Sequence, residues 1–411
     1  MARVEEPRIK RSSIVYENMR SPEFLRRYYS TQTINLAKSL EIAGSSPTDL
    51  FVGRFGYPYV NIGPLVPPIY GDTTVLSTPE MWRNTSIEQV FRMRNSLVRG
   101  LHKTSIKNVE HGKVEEMVRD LALADRPAEA DITLAKAPRL RPRMDDESAP
   151  FGPSAGLKEL EMGNVTANKK MESRYTDTDA KAGEAVFELY EKGLPISKIQ
   201  RGFSAGLFGI KADRRFVPTR WSITAVDDTI SKKNLEMVKE YDIIDAIMAY
   251  YHVALDNRWL ILLFPSGWEY ESIEAFYPNT VWNEGNGTVS IFGSYEGYRG
   301  RKEYAEMGGC YYSGRLAITE RLRLMGKQAS ALILREVHEG YTMPVGVWNV
   351  REHVRATLEK EPVMLDGIGD VMAFVEERME IRGHEWVRNS RMLRGLLSQR
   401  RLYEYVTSRQ R

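Results

Sequence analysis

Phe216-Val-Pro-Thr-Arg-Trp-Ser-Ile-Thr-Ala-Val-Asp-Asp228 is the stretch on whose reading the fold turns. Its centre, Trp221–Val226, is rich in β-forming residues and predicts a strand that ends in Asp227-Asp228. Thr219 and Arg220 stand at its start. In α/β folds the carboxyl ends of strands carry the sites. Paired carboxylates there hold Mg²⁺ or divide acid and base roles. Asp227 and Asp228 are therefore candidate catalytic residues, with Mg²⁺ as the candidate ion, and Arg220 is a candidate grip for an anion. The plainer reading makes the two aspartates turn and helix-cap residues. Just upstream, the glycines of Gly202-Phe-Ser-Ala-Gly-Leu-Phe-Gly209 fit neither the dinucleotide fingerprint nor the phosphate-binding P-loop, which excludes both.

Outward from this stretch, helices and strands alternate without a simple order. Ser86 with Gln89 makes a capping box ahead of Ile87, Val90 and Phe91. Asp179 is expected to open a second helix through Ala182, Ala185, Val186 and Leu189, stopped by Gly193 and Pro195. Ser231 is expected to cap a third, and Asn349 with Glu352 forms a second capping box. Val371, Phe374, Val375 and Met379 mark a last helix. Trp259–Phe264 reads as a buried strand, with Thr288–Phe292 and Ala331–Leu334 as further candidates. This mixture predicts an α/β or α+β mixed fold in two domains with a flexible basic C-terminal tail. The expected divisions are 1–284, 285–387 and a tail at 388–411. Five prolines between 126 and 156 suggest a long surface segment, either functional or a linker.

Composition bounds the function classes. With 42% hydrophobic and 27% charged residues, the 411-residue chain has the make-up of a soluble globular protein. Its longest uninterrupted apolar run, Trp259–Phe264, is too short for a bilayer, so no membrane partner is expected. Residues 1–11 lack the apolar segment of a secretory signal. The single cysteine, Cys310, excludes an internal disulfide and any multi-cysteine metal site, so no zinc is expected. A cytoplasmic protein is the expectation. The tail holds seven arginines against one glutamate, +6 on a chain of net +3, which leaves −3 for residues 1–387. Clustered arginine suits phosphate or an acidic protein surface.

Three more stretches carry candidate chemistry. Phe51-Val-Gly-Arg-Phe-Gly-Tyr-Pro-Tyr-Val-Asn-Ile-Gly-Pro-Leu65 gathers glycines, aromatics, Arg54 and Asn61. Its glycines permit close approach of a ligand, Arg54 can fork onto a phosphate, and Phe55 and Tyr57 can stack on a base. The plainer reading is a tight β-hairpin with core aromatics. Glu336 and His338 alternate in a strand-like setting and so share a face, with His338 a candidate general base. The six histidines form no ligand pattern. Finally, Gln399, Leu402 and Tyr405, with Val406, have the spacing of the short peptide that plugs into a sliding clamp. Leu402, Tyr405 and Val406 would fill an apolar pocket while the Gln399 amide fixes register. The alternative is the last turn of an ordinary amphipathic helix.

Phe51–Leu65, the segment Asp177–Gly209 with its Glu-Leu-Tyr-Glu-Lys-Gly-Leu-Pro-Ile-Ser-Lys-Ile-Gln-Arg core, and Val217–Asp228 resemble the archaeal Nre family. The resemblance runs from about Pro47 to the C-terminal tail. It implies a factor in DNA damage repair, recruited through Gln399, Leu402, Tyr405 and Val406 to the sliding clamp PCNA, with DNA or a repair complex as the further partner. Many relatives begin with a cysteine-rich, zinc-binding segment; this chain has no cysteine there, so no zinc module carries over. The resemblance supplies no catalytic residue. A second expectation is therefore a hydrolase acting on a nucleotide-like or nucleic-acid adduct. In it Arg54, Asn61 and Arg220 grip the anionic group and Asp227 or Asp228 acts as base or metal ligand.

Overall fold

A computed structural model of the chain describes residues 39–140, 145, 147–280, 282–283 and 287–398. Gln399, Leu402, Tyr405 and Val406 lie outside the described residues. The fold is mixed α and β, built on two six-stranded sheets.

The first sheet is made of β1 (Glu41–Ser46), β2 (Leu50–Val52), β3 (Tyr59–Val66), β4 (Val98–Ser105), β5 (Ala128–Leu134) and β6 (Ser154–Met162), in the order β1-β5-β6-β4-β3-β2. Only β4 and β6 run parallel. Strict alternation of buried and open residues along β5 follows from one face packing inward. On β3, Val60 and Ile62 enter a core with Val186, Leu189, Ile199, Val226 and Ile230 from the helices that follow. Where β3 crosses β4 the backbones nearly touch. A Cβ on Gly63 would stand 1.8 Å from the Gly100 carbonyl oxygen, so no other residue fits.

The second sheet is made of β7 (Ile247–Ala254), β8 (Asn257–Phe264), β9 (Tyr270–Phe276), β10 (Ser290–Glu296), β11 (Ser330–Val337) and β12 (Val363–Leu365), in the order β10-β9-β11-β8-β7-β12. It draws strands from both sides of residue 284. β9 and β11 are buried along their whole length, as strands covered on both faces must be. On β8, Trp259, Ile261 and Leu263 enter one core and Leu260, Leu262 and Phe264 the opposite one.

Helices among the described residues include α1 (Ile87–Asn95), α2 (Lys113–Leu123), α3 (Lys169–Thr176), α4 (Ala182–Glu191), α5 (Ile196–Ser204), α6 (Thr219–Val238), α7 (Gly309–Met325), α8 (Trp348–Leu358), α9 (Ile368–Arg378) and α10 (Gly383–Asn389). α6 joins the two halves. Its Val226 and Ile230 belong to the core under the first sheet, and its Leu235 and Val238 to the core under the second.

α6 also corrects the reading of the opening stretch. Trp221–Val226 is not a strand but the start of this 20-residue helix. Pro218 at its N-cap supplies the missing start signal, since proline suits a helix entrance. The β-rich composition misleads because the buried face of the helix carries Ser222, Thr224, Asp227, Ser231 and Asn234, not a run of leucines. Ser231 is thus interior to α6 rather than a cap. Asn349 likewise lies inside α8, which begins at Trp348. The capping box of α1 forms as expected, with Gln89 N–H donating to Ser86 Oγ at 3.2 Å and Ser86 N–H to Gln89 Oε1 at 2.9 Å.

Two expectations of exposure are also revised. The described part of 126–156 is not a surface connection: 128–134 form β5, and Glu147, Ser148, Phe151 and Pro153 are buried. The basic segment does not hang free from residue 388. Ser390, Met392 and Leu393 are buried, and the Glu271 carboxylate accepts from Ser390 Oγ at 2.6 Å, Arg391 N–H at 2.8 Å and Met392 N–H at 2.9 Å.

Candidate functional site

The β2–β3 hairpin, residues 147–151 and the N-terminal parts of α5, α6 and α8 converge on a cavity of about 80 Å³. Asp49, Phe51, Arg94, Ser148, Arg201 and Arg351 are among its walls. Arg94 is fully engaged: it donates to Asp49 Oδ2 at 3.0 Å, Ser77 Oγ at 3.1 Å and the Leu76 and Pro150 carbonyls at 3.1 Å. Arg351 is matched by Asp227. Arg201 donates to the Ser77 carbonyl at 2.6 Å, and its Nε finds no partner among the described residues. Burial, with Arg94 alongside, holds this guanidinium below the usual arginine range against the pull of Asp49 and Glu80. Ser148 Oγ, Ser197 Oγ and Glu80 Oε2 are likewise buried without a partner among the described residues. Each such atom costs about 1–3 kcal/mol unless something meets it. A cavity with a cation and loose hydroxyls in its neighbourhood suits a polar, anion-bearing ligand.

A wider cleft of about 440 Å³ lies beside it, lined by Glu147, Arg220, Trp221, Thr224, Asp228 and Tyr304 among others. Glu147 belongs to the walls of both spaces. It is buried, and its carboxylate accepts from Tyr304 Oη at 2.8 Å, Thr224 Oγ1 at 3.1 Å and the Arg220 guanidinium at 3.4 Å. Burial and the facing Glu147 charge together push the Tyr304 phenol above its ordinary range. Glycines make room for this carboxylate. A Cβ on Gly309 would stand 2.9 Å from Glu147 Cγ, and one on Gly346, at φ +97°, would stand 2.7 Å from the Ser148 carbonyl oxygen. Nothing in the sequence singles out Glu147, because it sits in a proline-rich stretch with no motif. The signal is purely tertiary.

The expected site residues divide between this region and elsewhere. Arg220 and Asp228 line the wider cleft. Arg220 also pairs with Asp145 at 3.1 Å, and Asp228 with Arg315 and, at 2.7 Å, Lys232. Arg54 lines an adjoining groove with Phe51, Asp145, Thr219 and Arg220. The glycine-arginine loop and residues 219–228 therefore do share a concave surface. Asp227 does not face it. It is wholly buried, held by Arg351 Nη1 at 2.9 Å to each oxygen, Ser313 Oγ at 2.6 Å and Gln200 Nε2 at 3.0 Å. Burial pushes its carboxyl above the usual range against the pull of Arg351. These bonds tie α5, α6, α7 and α8 together, which is a structural role. Asn61 stands farther along β3, opposite Lys103, and lines neither space.

His338 lies apart from the cleft, at the end of β11. Its ring stacks on Tyr277 with centroids 4.5 Å apart, and its Nε2 is 3.3 Å from Glu336. Glu336 in turn accepts the Ile381 N–H at 2.7 Å and the Glu380 N–H at 3.1 Å, so the pair secures the chain entering α10. Among the described residues no group of three His, Cys, Asp or Glu side chains is placed to hold a metal ion, and no helix is long and apolar enough to cross a membrane. Asp227 and Asp228, adjacent on a helix, point to different partners and share no ligand position.

Comparison with known proteins adds kinship to this geometry. Residues 19–283 match the family described as Archaeal Nre, N-terminal, and residues 296–405 match Archaeal Nre, C-terminal. The chain is 41% identical over 368 residues to "DNA repair protein NreB" of Archaeoglobus fulgidus, covering 89% of this chain and 92% of that protein. It is 35% identical over 363 residues to "DNA repair protein NreA" of Haloferax volcanii, covering 86% of each. A third relative, "DNA repair protein NreA" of Archaeoglobus fulgidus, is 32% identical over 347 residues.

Proposed function

The chain belongs to the archaeal Nre family, and from that premise we propose that it acts in DNA repair, recruited to the sliding clamp PCNA through Gln399, Leu402, Tyr405 and Val406. The observation that carries the repair role is the kinship itself, which extends over 89% of the chain at 41% identity to a protein named for DNA repair. The spacing Gln-x-x-Leu-x-x-Tyr-Val supports the recruitment. Archaeal cells lacking the chain should be sensitised to DNA-damaging agents. Full-length protein should restore survival and Leu402→Ala/Tyr405→Ala should not. Rescue by that double variant at normal protein levels overturns the recruitment. Failure of the deletion to sensitise cells overturns the repair role.

A second reading is favoured by Glu147, a buried carboxylate on the wall shared by the arginine-lined cavity and the open cleft. In it the body hydrolyses a nucleotide-like or nucleic-acid adduct. Arg201 and Arg220 face its anionic part, and Glu147, in place of the aspartates expected at a strand end, takes a proton from the attacking water. Turnover of such an adduct that Glu147→Gln abolishes while binding survives supports this. Full activity in Glu147→Gln rules it out.

A further inference from the structure

The tip of the β2–β3 hairpin is an exposed aromatic surface. Every residue from Arg54 to Tyr59 is exposed. Phe55, Tyr57 and Tyr59, together with Trp221 from the first turn of α6, are 45–58% exposed. The Tyr57 and Trp221 rings meet, with centroids 5.3 Å apart and tilted by 55°, and Phe55 and Tyr59 stand two residues to either side of Tyr57 on the same exposed tip. The Arg54 guanidinium lies 5.0 Å from the Phe55 ring and has no carboxylate partner among the described residues. Four exposed rings on one hairpin tip and the helix turn beside it mark an interaction surface.

Cations fringe the patch. Antiparallel pairing sets Tyr59 opposite Ser105 and Asn61 opposite Lys103, so Tyr59, Asn61 and Lys103 share one face of the sheet. The same alternation carries Phe51 and Leu65, which line the cavity, so cavity and patch share that face. Ile106 N–H donates to the Pro58 carbonyl at 3.0 Å and Phe216 N–H to the Ile106 carbonyl at 2.8 Å. Exposed Lys107 and Arg215 are thereby held beside the hairpin. Trp221 also lines the wider cleft, so the patch runs into it.

We propose that Phe55, Tyr57, Tyr59 and Trp221, fringed by Arg54, Lys103, Lys107 and Arg215, form a stacking platform for a single strand of nucleic acid, whose unpaired bases lie on the rings and whose phosphates meet the cations. Aromatic faces with nearby cations are the chemistry that binds unpaired nucleotides irrespective of sequence. Duplex bases, stacked on each other, offer no faces to such a surface. The platform uses neither the clamp peptide nor the hydrolytic role of Glu147, so it stands or falls independently of both.

The test is fluorescence anisotropy of a labelled oligo-dT 12-mer with the full chain in the absence of any clamp, against a duplex of equal length. Tyr57→Ala/Trp221→Ala should weaken binding of the single strand by about tenfold or more. Lys103→Ala/Lys107→Ala should weaken it less and flatten its dependence on salt. Both pairs are surface residues, and an unchanged thermal midpoint confirms that each variant is folded. Undiminished binding by Tyr57→Ala/Trp221→Ala overturns the proposal, as does a duplex that binds as tightly as the single strand.

Discussion

At the scale of single residues, the polar interior separates positions that hold the fold from positions that face ligand. Asp227 has every oxygen committed to Arg351, Ser313 and Gln200. Asp227→Asn leaves the buried Arg351 cation with Glu352, at 3.4 Å, as its remaining ion-pair partner and should lower stability by about 3 kcal/mol, seen as a lower denaturant midpoint with unchanged slope. An unchanged midpoint would return Asp227 to the list of candidate catalytic residues. His353 offers a pH test. It is buried, bonded at 2.8 Å to the Asn349 carbonyl and stacked on Trp259, and burial pushes its pKa from 6.5 down to about 4. Between those values the unfolded chain takes up a proton that the folded chain refuses, so this contribution is present at neutral pH and is lost as pH falls towards 4. Taking the protein from pH 7 to pH 5 should cost about 2 kcal/mol through this ring. His353→Gln should show a correspondingly shallower loss in thermal melts, and equal slopes would refute the assignment. The sequence marks neither residue correctly: Asp227 looked catalytic because it ends a β-rich run, and His353 is one of six unpatterned histidines.

At the scale of elements, what was legible had a local cause. The β2–β3 hairpin, the capping box of α1 and the buried run of β8 are set by neighbours within a few residues, and each appears where its residues indicate. α6 did not, because its character comes from what it packs against. Its buried face mixes Ser222, Thr224, Asp227, Ser231 and Asn234 with Val226, Ile230, Leu235 and Val238, and it packs against α7. Gly314 of α7 shows how tight this layer is, since a Cβ there would stand 2.6 Å from Tyr270 Oη. Glu147 was illegible for the same reason, as its three donors come from distant stretches of the chain. The base of the basic segment is likewise held by tertiary contacts, through Glu271. Glu271→Ala should release residues 390–393 and speed tryptic cleavage after Arg388, Arg391 and Arg394 severalfold, as followed by mass spectrometry. An unchanged cleavage rate would mean that apolar packing of Met392 and Leu393 alone holds the segment.

At the scale of the molecule, two sheets share α6 and α7, and the cavity, the cleft and the exposed rings lie where this shared layer meets the first sheet. Residues 1–387 carry a slight net negative charge, and seven arginines gather after residue 387. Under the proposed function, location and chemistry are separated along the chain: the last residues would set where the protein works and the cleft what it meets there. Burying Leu402 and Tyr405 yields about 1.5–3 kcal/mol each before ordering costs, which supports a transient contact of about micromolar strength. Calorimetric titration of the sliding clamp with the full-length chain and with Leu402→Ala/Tyr405→Ala tests this most directly. Micromolar binding by the first and a loss of at least about tenfold in the second are expected; equal binding by both would overturn the recruitment.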